Sequence, residues 1–464
     1  MKILIVIPSR SYRGQPGYVD FPDEMLSLAV VLESPGHKIK FVDFNVERLP
    51  PDTITQFQPD LAVFYVSTGP EIADALNKSR EYKKLGIKIA WCGCHPTALP
   101  EQTLAADCVD YVICGGAEMT ITELADSLLG NVPSLSSILG LGYKDEFGSV
   151  RINESRPPLA DADSLPDPAW HLVDFQRYPD TNLNTSRGGP YACTFFPDLG
   201  ECRISLSGKL SPGRILSQMR KMRQEYGARH VYFSGCGLAA DGARFKDFCR
   251  IAIRQKLKTG WTLPVSSGLD EETVRLMARA GCVSVLLDVG SGSPRLRQFL
   301  KMPDIEEVEK AFQLLVRHKI IPTLLVNHGY PTESAADFQE TLDLLVRLDQ
   351  PPVLFLKYIP YPGTEQFDLC VDQGLVSVPL SVAEWAEFVP GCMARNLSQV
   401  HQEHFNRALA EFRQTYASRR VRFMVRHNPG YFLALIRKPR EFFKRLKDLF
   451  RYYAEAVRQR KIKT

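Results

Sequence analysis

The chain has 464 residues, 44% of them apolar, with 57 Lys and Arg against 53 Asp and Glu for a net charge of +4. That length exceeds one compact domain and that apolar share suffices for packed cores, so a disordered or fibrous chain is excluded and roughly two to four domains are expected. The 11 cysteines lack disulfide-like spacing, Met1-Lys2-Ile3-Leu4 opens no signal-peptide pattern, and no apolar run is long enough to span a membrane, which together predict a cytoplasmic protein. The charge is uneven: residues 418–464 hold 15 Lys and Arg against 3 Asp and Glu, so this tail carries +12 and the rest of the chain −8.

Residues 1–130 alternate short β-branched runs with amphipathic stretches, which predicts βα units and a parallel sheet. The expected strands are Lys2–Pro8, Lys38–Asp43, Asp60–Val66, Lys88–Trp91 and Asp110–Ile113. Between them a helix is expected over Glu71–Leu85, with Leu76, Arg80 and Lys83 on one solvated side. Five such units make a flavodoxin-like doubly wound domain, whose ligands sit at the carboxyl ends of the strands.

Two loops at those ends stand out. Cys92-Gly93-Cys94-His95-Pro96-Thr97 follows the fourth strand, and Gly115-Gly116-Ala117-Glu118 follows the fifth and opens a helix. Glycine lets backbone approach a flat or anionic ligand closely, and a helix start offers free N–H groups. Cys92, Cys94 and His95 also suggest a metal, but no second thiol pair stands at zinc spacing.

Residues 131–179 read as a connector, with a small hairpin over Gly142–Asn153 and a proline-rich link from Pro157 to Pro168. A second βα series is expected over 180–375, with strands at Leu183–Ser186, His230–Ser234, Trp261–Val265, Val283–Val289, Pro322–Asn327 and Val353–Ile359. Residues 376–464 read as helices in which basic and aromatic residues interleave, as at Arg419–Arg426, Tyr431–Lys438 and Phe442–Lys447. Such a segment either packs as a bundle or lies against an anionic membrane surface. No recognition motif for nucleic acid accompanies it, so none is expected as a partner.

The stretch Thr185-Ser186-Arg187-Gly188-Gly189-Pro190-Tyr191-Ala192-Cys193-Thr194-Phe195-Phe196-Pro197 resembles the iron–sulfur loop of the radical S-adenosylmethionine (SAM) enzymes, CxxxCxxC. Gly189 stands at the first cysteine position, Cys193 at the second and Phe196 at the third. Thiolate is the ligand these clusters require, and glycine and phenylalanine supply none. Upstream, Leu26–Leu32, Pro35-Gly36-His37, Gly93-Cys94-His95-Pro96-Thr97 and Gly115-Gly116-Ala117-Glu118 resemble the cobalamin-binding domain that precedes the barrel in one branch of that family. Ser211-Pro212-Gly213-Arg214-Ile215 and Pro360-Tyr361-Pro362-Gly363-Thr364-Glu365 match further landmarks.

The resemblance implies a flavodoxin-like, Rossmann-type cobalamin-binding domain, then a radical-SAM-type partial (β/α)6 TIM barrel, then a helical C-terminal region. It implies cobalamin bound by Gly93, His95, Pro96, Thr97, Gly115, Gly116 and Glu118, with no D-x-H-x-x-G histidine to ligate cobalt. Barrel strand ends depart from the family: the second reads Tyr232-Phe233-Ser234-Gly235-Cys236-Gly237, and the fourth Asp288-Val289-Gly290-Ser291-Gly292-Ser293, with glycine where glutamate is usual. Asp288 with His328 are candidate acid and base and Cys236 a candidate catalytic thiol. Cys193 is the one retained cluster ligand, which Cys202 and Cys236 would have to supplement to rebuild a metal site. A four-iron cluster is therefore not expected, and SAM binding is left open.

Three functions follow. The first is cobalamin-dependent group (methyl) transfer or rearrangement on a small-molecule substrate without the usual cluster. The second is a catalytically silent relative supporting a radical SAM partner, and the third a conventional radical SAM methyltransferase or cyclase with unusual cluster ligands.

Overall fold

A computed structural model describes residues 1–11, 19–50, 52–157, 159, 161–186, 208–234, 237–266, 268–349, 351–388 and 397–427. The chain divides into two compact units. The first comprises Met1–Val265, Arg279–Cys282 and Lys357–Arg395, and the second Ser266–Ala278, Val283–Leu356 and Asn396–Thr464.

In the first unit, β1 (Lys2–Ile7), β2 (Lys38–Asp43), β3 (Leu61–Tyr65), β4 (Lys88–Cys92) and β5 (Tyr111–Ile113) pair in parallel, joined by β6 (Leu141–Lys144) and β7 (Val150–Ile152). The order is β2-β1-β3-β4-β5-β6-β7, the last two strands being antiparallel. Helices cover both faces of the parallel part, so β1 reads Lys-Ile-Leu-Ile-Val-Ile without polar alternation and Ile3, Leu4, Ile5 and Val6 are fully buried. Each such side chain contributes about 1.5–3 kcal/mol. The chain reverses direction between β1 and β3, which makes their carboxyl ends the topological switch point.

The hairpin in the expected connector extends this sheet by β6 and β7. Gly142 lets the hairpin pack closely, since a Cβ there would stand 2.8 Å from the Ile152 Cδ1 and 3.0 Å from the Leu104 Cδ1, which would have to shift. The helix Glu71–Lys84 forms as expected but with a different solvated side: Leu76 is buried with Ile72, Ala75, Ser79 and Tyr82. These positions repeat at helical spacing toward the sheet, and Leu76 therefore belongs to the core stripe, not to the face of Arg80.

The second series supplies six strands. β8 (Asn182–Asn184), β9 (His230–Ser234) and β10 (Gly260–Val265) lie in the first unit as a parallel set in the order β10-β9-β8. β11 (Cys282–Gly290), β12 (Ile321–His328) and β13 (Val353–Lys357) lie in the second unit but for their end residues Cys282 and Lys357, in the order β13-β12-β11. β11 and β12 are parallel. Helices alternate with the strands, and their ends are coded locally. Ser211 caps Pro212–Tyr226, which Gly227 ends at φ +73°, and Ser334 with Asp337 forms a capping box on Ala335–Arg347. The succession of six strands and their helices is that of the radical-SAM-type (β/α)6 series expected from the sequence.

After β13 the chain contributes a short 3-10 turn, Val382–Glu387, to the first unit and a long helix, Gln402–His427, to the second. Arg419–Arg426 falls within that helix, while the basic segments beyond it lie outside the described residues. Among the described residues no helix is long and apolar enough to cross a membrane.

Candidate functional site

The loops after β4 and β5 form the best-defined part of the site. Gly93 takes φ +107°, and a Cβ there would meet the Val66 carbonyl at 2.7 Å, so glycine alone lets this loop lie against the end of β3. Cys94–Ala98 follows as a single helical turn. Thr97 Oγ1 donates to the Gly93 carbonyl at 2.8 Å and accepts the Gly115 N–H at 3.1 Å, tying the β4 loop to the β5 loop. Gly115 takes φ +74°, and Gly115, Gly116 and Glu118 are half-buried where the helix Ala117–Leu128 begins. Cys92 is buried with its thiol pushed above the ordinary range by burial, and its Sγ donates to the Phe64 carbonyl at 3.4 Å. It behaves as a core thiol.

His95 and Pro96 are buried. The His95 Nδ1 lies 3.1 Å from Thr68 Oγ1, while its Nε2 has no hydrogen-bond partner. Burial pushes the imidazole down to about 3, so it is neutral across the physiological range. The indole of Trp385 meets the ring edge-on, with centroids 5.8 Å apart. Trp385 is itself fully buried, packs on Phe367 and Phe388, and donates from Nε1 to Gln102 Oε1 at 2.6 Å. The other end of that amide donates to the Pro379 carbonyl at 2.7 Å. Sequence reasoning missed this strap. Its one local signal was Ser381-x-x-Glu384, a helix-start pattern realised as a 2.9 Å bond from Ser381 Oγ to Glu384.

A cavity of about 120 Å³ opens at the switch point, between Ile7, Asp43 and Tyr65 at the ends of β1, β2 and β3. Its carboxylates are engaged: Asp43 accepts from Asn45 and Tyr178, Glu24 from Tyr65, and Asp20 from Asn182. Arg10, also on its wall, pairs with Glu71 at 3.3 Å.

In the second unit, Asp288 and His328 do not come together as an acid–base pair. Along β11 the buried positions are Val285, Leu287 and Val289, and Asp288 alternates with them. Along β12 His328 shares its face with buried Leu324 and Val326, and its ring packs on Phe405 at 4.8 Å and Phe338 at 6.0 Å. The period-two pleat thus sends the two side chains to opposite faces. Burial pushes the Asp288 carboxyl up, opposed by the charge of Arg297. In the loop after β12, buried Glu333 accepts the N–H groups of Gly329 at 2.5 Å and Tyr330 at 3.2 Å. Burial raises its carboxyl to about 7 against those two bonds. Cys193, Cys202 and Cys236 lie outside the described residues.

The model for the B12 binding domain matches residues 18–125, and that for the radical SAM superfamily matches residues 183–345. An uncharacterized methyltransferase of Pyrococcus horikoshii is 27% identical over 403 residues, covering 81% of this chain and 84% of that protein. A tRNA-2-methylthio-N(6)-dimethylallyladenosine synthase of a Sulfurovum species is 24% identical, covering 70% and 74%. Among solved structures, the radical SAM methyltransferase TsrM of Kitasatospora setae, determined with tryptophan substrate and a SAM analogue, superposes with a TM-score of 0.69 at 17% identity, covering 82% of each chain. The cobalamin-dependent SAM radical enzyme OxsB superposes with a TM-score of 0.64 at 18% identity, over 86% of this chain and 58% of that one. With a B12-binding domain followed by a radical SAM domain, the chain belongs to the cobalamin-binding radical SAM family.

Proposed function

We propose that this protein is a cobalamin-dependent group-transfer protein, most directly a methyltransferase acting on a small molecule held by the barrel. The observation that carries the reading is the Thr97 clasp between the loops after β4 and β5. It holds two side-chain-free backbone segments, at Gly93 and at Gly115-Gly116, together at the carboxyl ends of a doubly wound sheet, where a large flat cofactor needs close backbone approach. These residues fit a corrin, which when bound supplies a cobalt centre able to carry a methyl group. His95 serves the fold of the loop in this reading: it is buried and bonded to Thr68.

The ligands for a four-iron cluster fit less well, because Gly189 and Phe196 stand at two of its three thiolate positions. The reading therefore excludes the reductive cleavage of SAM that such a cluster supports. It is tested by purifying the full chain with hydroxocobalamin and measuring bound corrinoid and visible absorbance, then following methyl transfer from methylcobalamin to candidate acceptors. One corrinoid per chain with a base-off spectrum is expected. A chain that retains no corrinoid overturns the reading. Corrinoid without methyl transfer, restored by a co-purified radical SAM protein, establishes a supporting role instead.

A further inference from the structure

A second, smaller cavity, of about 20 Å³, lies in the first unit among Asp23, Ser27, Asn184, Gly208 and Gln218. The rest of its wall is apolar, and among the described residues no basic side chain lines it. The helix Asp23–Glu33 contributes Asp23 and Ser27, and the helix Pro212–Tyr226 contributes Gln218. Asn184 and Gly208 stand on either side of the stretch that resembles the iron–sulfur loop, and Asp23 Oδ2 accepts the Asn184 N–H at 2.8 Å. Asp23, Ser27 and Gln218 are 4%, 6% and 3% exposed, so bulk water does not solvate their oxygens.

Those oxygens are presented as ligands. Gln218 Nε2 donates to Asp167 Oδ1 at 3.3 Å, and because a carboxylate only accepts, this bond fixes which way the amide points. Asp167 does not line the cavity, so the carbonyl end of Gln218 is the one left to face it, and its Oε1 is buried without a hydrogen-bond partner. Leaving such a group unsatisfied costs about 1–3 kcal/mol. Ser27 Oγ spends its proton on the Asp23 carbonyl at 3.0 Å, so toward a guest its oxygen can only accept. A volume of this size admits one guest no larger than a water molecule. A carboxylate, an amide carbonyl and a hydroxyl oxygen with no basic neighbour suit a hard cation, and one carboxylate suits a single charge, since divalent ions gather more oxygen ligands or keep their waters.

We propose that this cavity is a site for one monovalent alkali cation, held by the Gln218 carbonyl, the Ser27 hydroxyl and the Asp23 carboxylate. The ion ties the residues flanking the altered stretch to the helix Asp23–Glu33. The proposal stands apart from the cobalamin reading and is tested without the cofactor.

The test is thermal unfolding of the full chain in potassium, sodium or choline chloride at equal ionic strength, with crystals soaked in thallium(I) as a direct probe. An ion that binds only the folded state raises the midpoint with its concentration. In wild type the midpoint should rise in potassium or sodium relative to choline and then saturate. Gln218→Met should lose that rise, and Ser27→Ala should need at least about tenfold more salt for half of it. Thallium should give an anomalous peak in the cavity. Equal midpoints in all three salts overturn the proposal, as does a rise that Gln218→Met leaves unchanged. A water in the cavity of thallium-soaked crystals, with no anomalous peak, overturns it as well. Should Gln218→Met not fold, Ser27→Ala and the crystals decide by the same outcomes.

Discussion

The hydroxyl of Thr97 accepts the backbone N–H of Gly115 at 3.1 Å while donating to the Gly93 carbonyl at 2.8 Å, so one side chain holds the loops after β4 and β5 in register. Thr97→Val keeps the shape and removes both bonds. A net loss of about 1 kcal/mol per bond would weaken corrinoid retention by roughly 5- to 30-fold, with Thr97→Ser close to wild type. Equilibrium titration with hydroxocobalamin measures it. Equal affinity for valine and serine variants would show that the clasp does not organise the site.

Gly292 tests the packing behind the edited strand end of the barrel. A Cβ there would lie 2.6 Å from the Thr341 Cα, which is helix backbone and cannot swing aside. Thr341 Oγ1 also accepts the Gly292 N–H at 2.8 Å, so the two segments are already in contact. Gly292→Ala should destabilise by about 1–3 kcal/mol through overpacking, read from the denaturant midpoint at constant slope.

Glu333 sets a pH dependence of stability. Its folded carboxyl is raised to about 7 by burial, against roughly 4.3 in an unfolded chain. Between those values the folded state binds the extra proton, so its contribution is complete below the unfolded value and falls as pH rises to about 7. Glu333→Gln keeps an acceptor for Gly329 and Tyr330 but cannot ionise. It should flatten the stability profile across that window and gain on wild type by roughly 3 kcal/mol above it.

Asp337 works in the opposite direction at lower pH. Burial raises its carboxyl, but hydrogen bonds from Arg295, Ser293 and Ser334 outweigh burial and hold it well below the ordinary range. Its stabilisation is present above about pH 4 and is lost as pH falls through the depressed value. Asp337→Asn should therefore destabilise at neutral pH, by a margin that narrows as pH falls toward 2 without vanishing there, as thermal unfolding at both pH values would show.

Iron content tests the altered cluster loop. With Gly189 and Phe196 beside Cys193, anaerobic reconstitution should leave well under four irons and four labile sulfides per chain, unchanged by Cys193→Ala. A full complement lost with Cys193→Ala would restore the conventional cluster, and one also requiring Cys202 and Cys236 would assign a rebuilt site.

By itself the sequence determined both strand series to within a residue or two at most ends. Parallel strands buried on both faces must be continuous apolar runs such as Ile3–Ile7, and helix ends such as Ser211-Pro212 carry their own caps. The loops after β4 and β5 were legible for the same local reason, since Gly93 and Gly115 adopt backbone angles that favour glycine. Only the tertiary structure decided what those loops touch. Leu76 turned to the core because the sheet lay on that side, and Asp288 and His328 parted because the pleat assigned them opposite faces. The Gln102–Trp385 bond joins residues 283 positions apart. Periodicity and propensity act over a few residues, whereas the burial of His95 depends on where a distant segment of chain returns and packs.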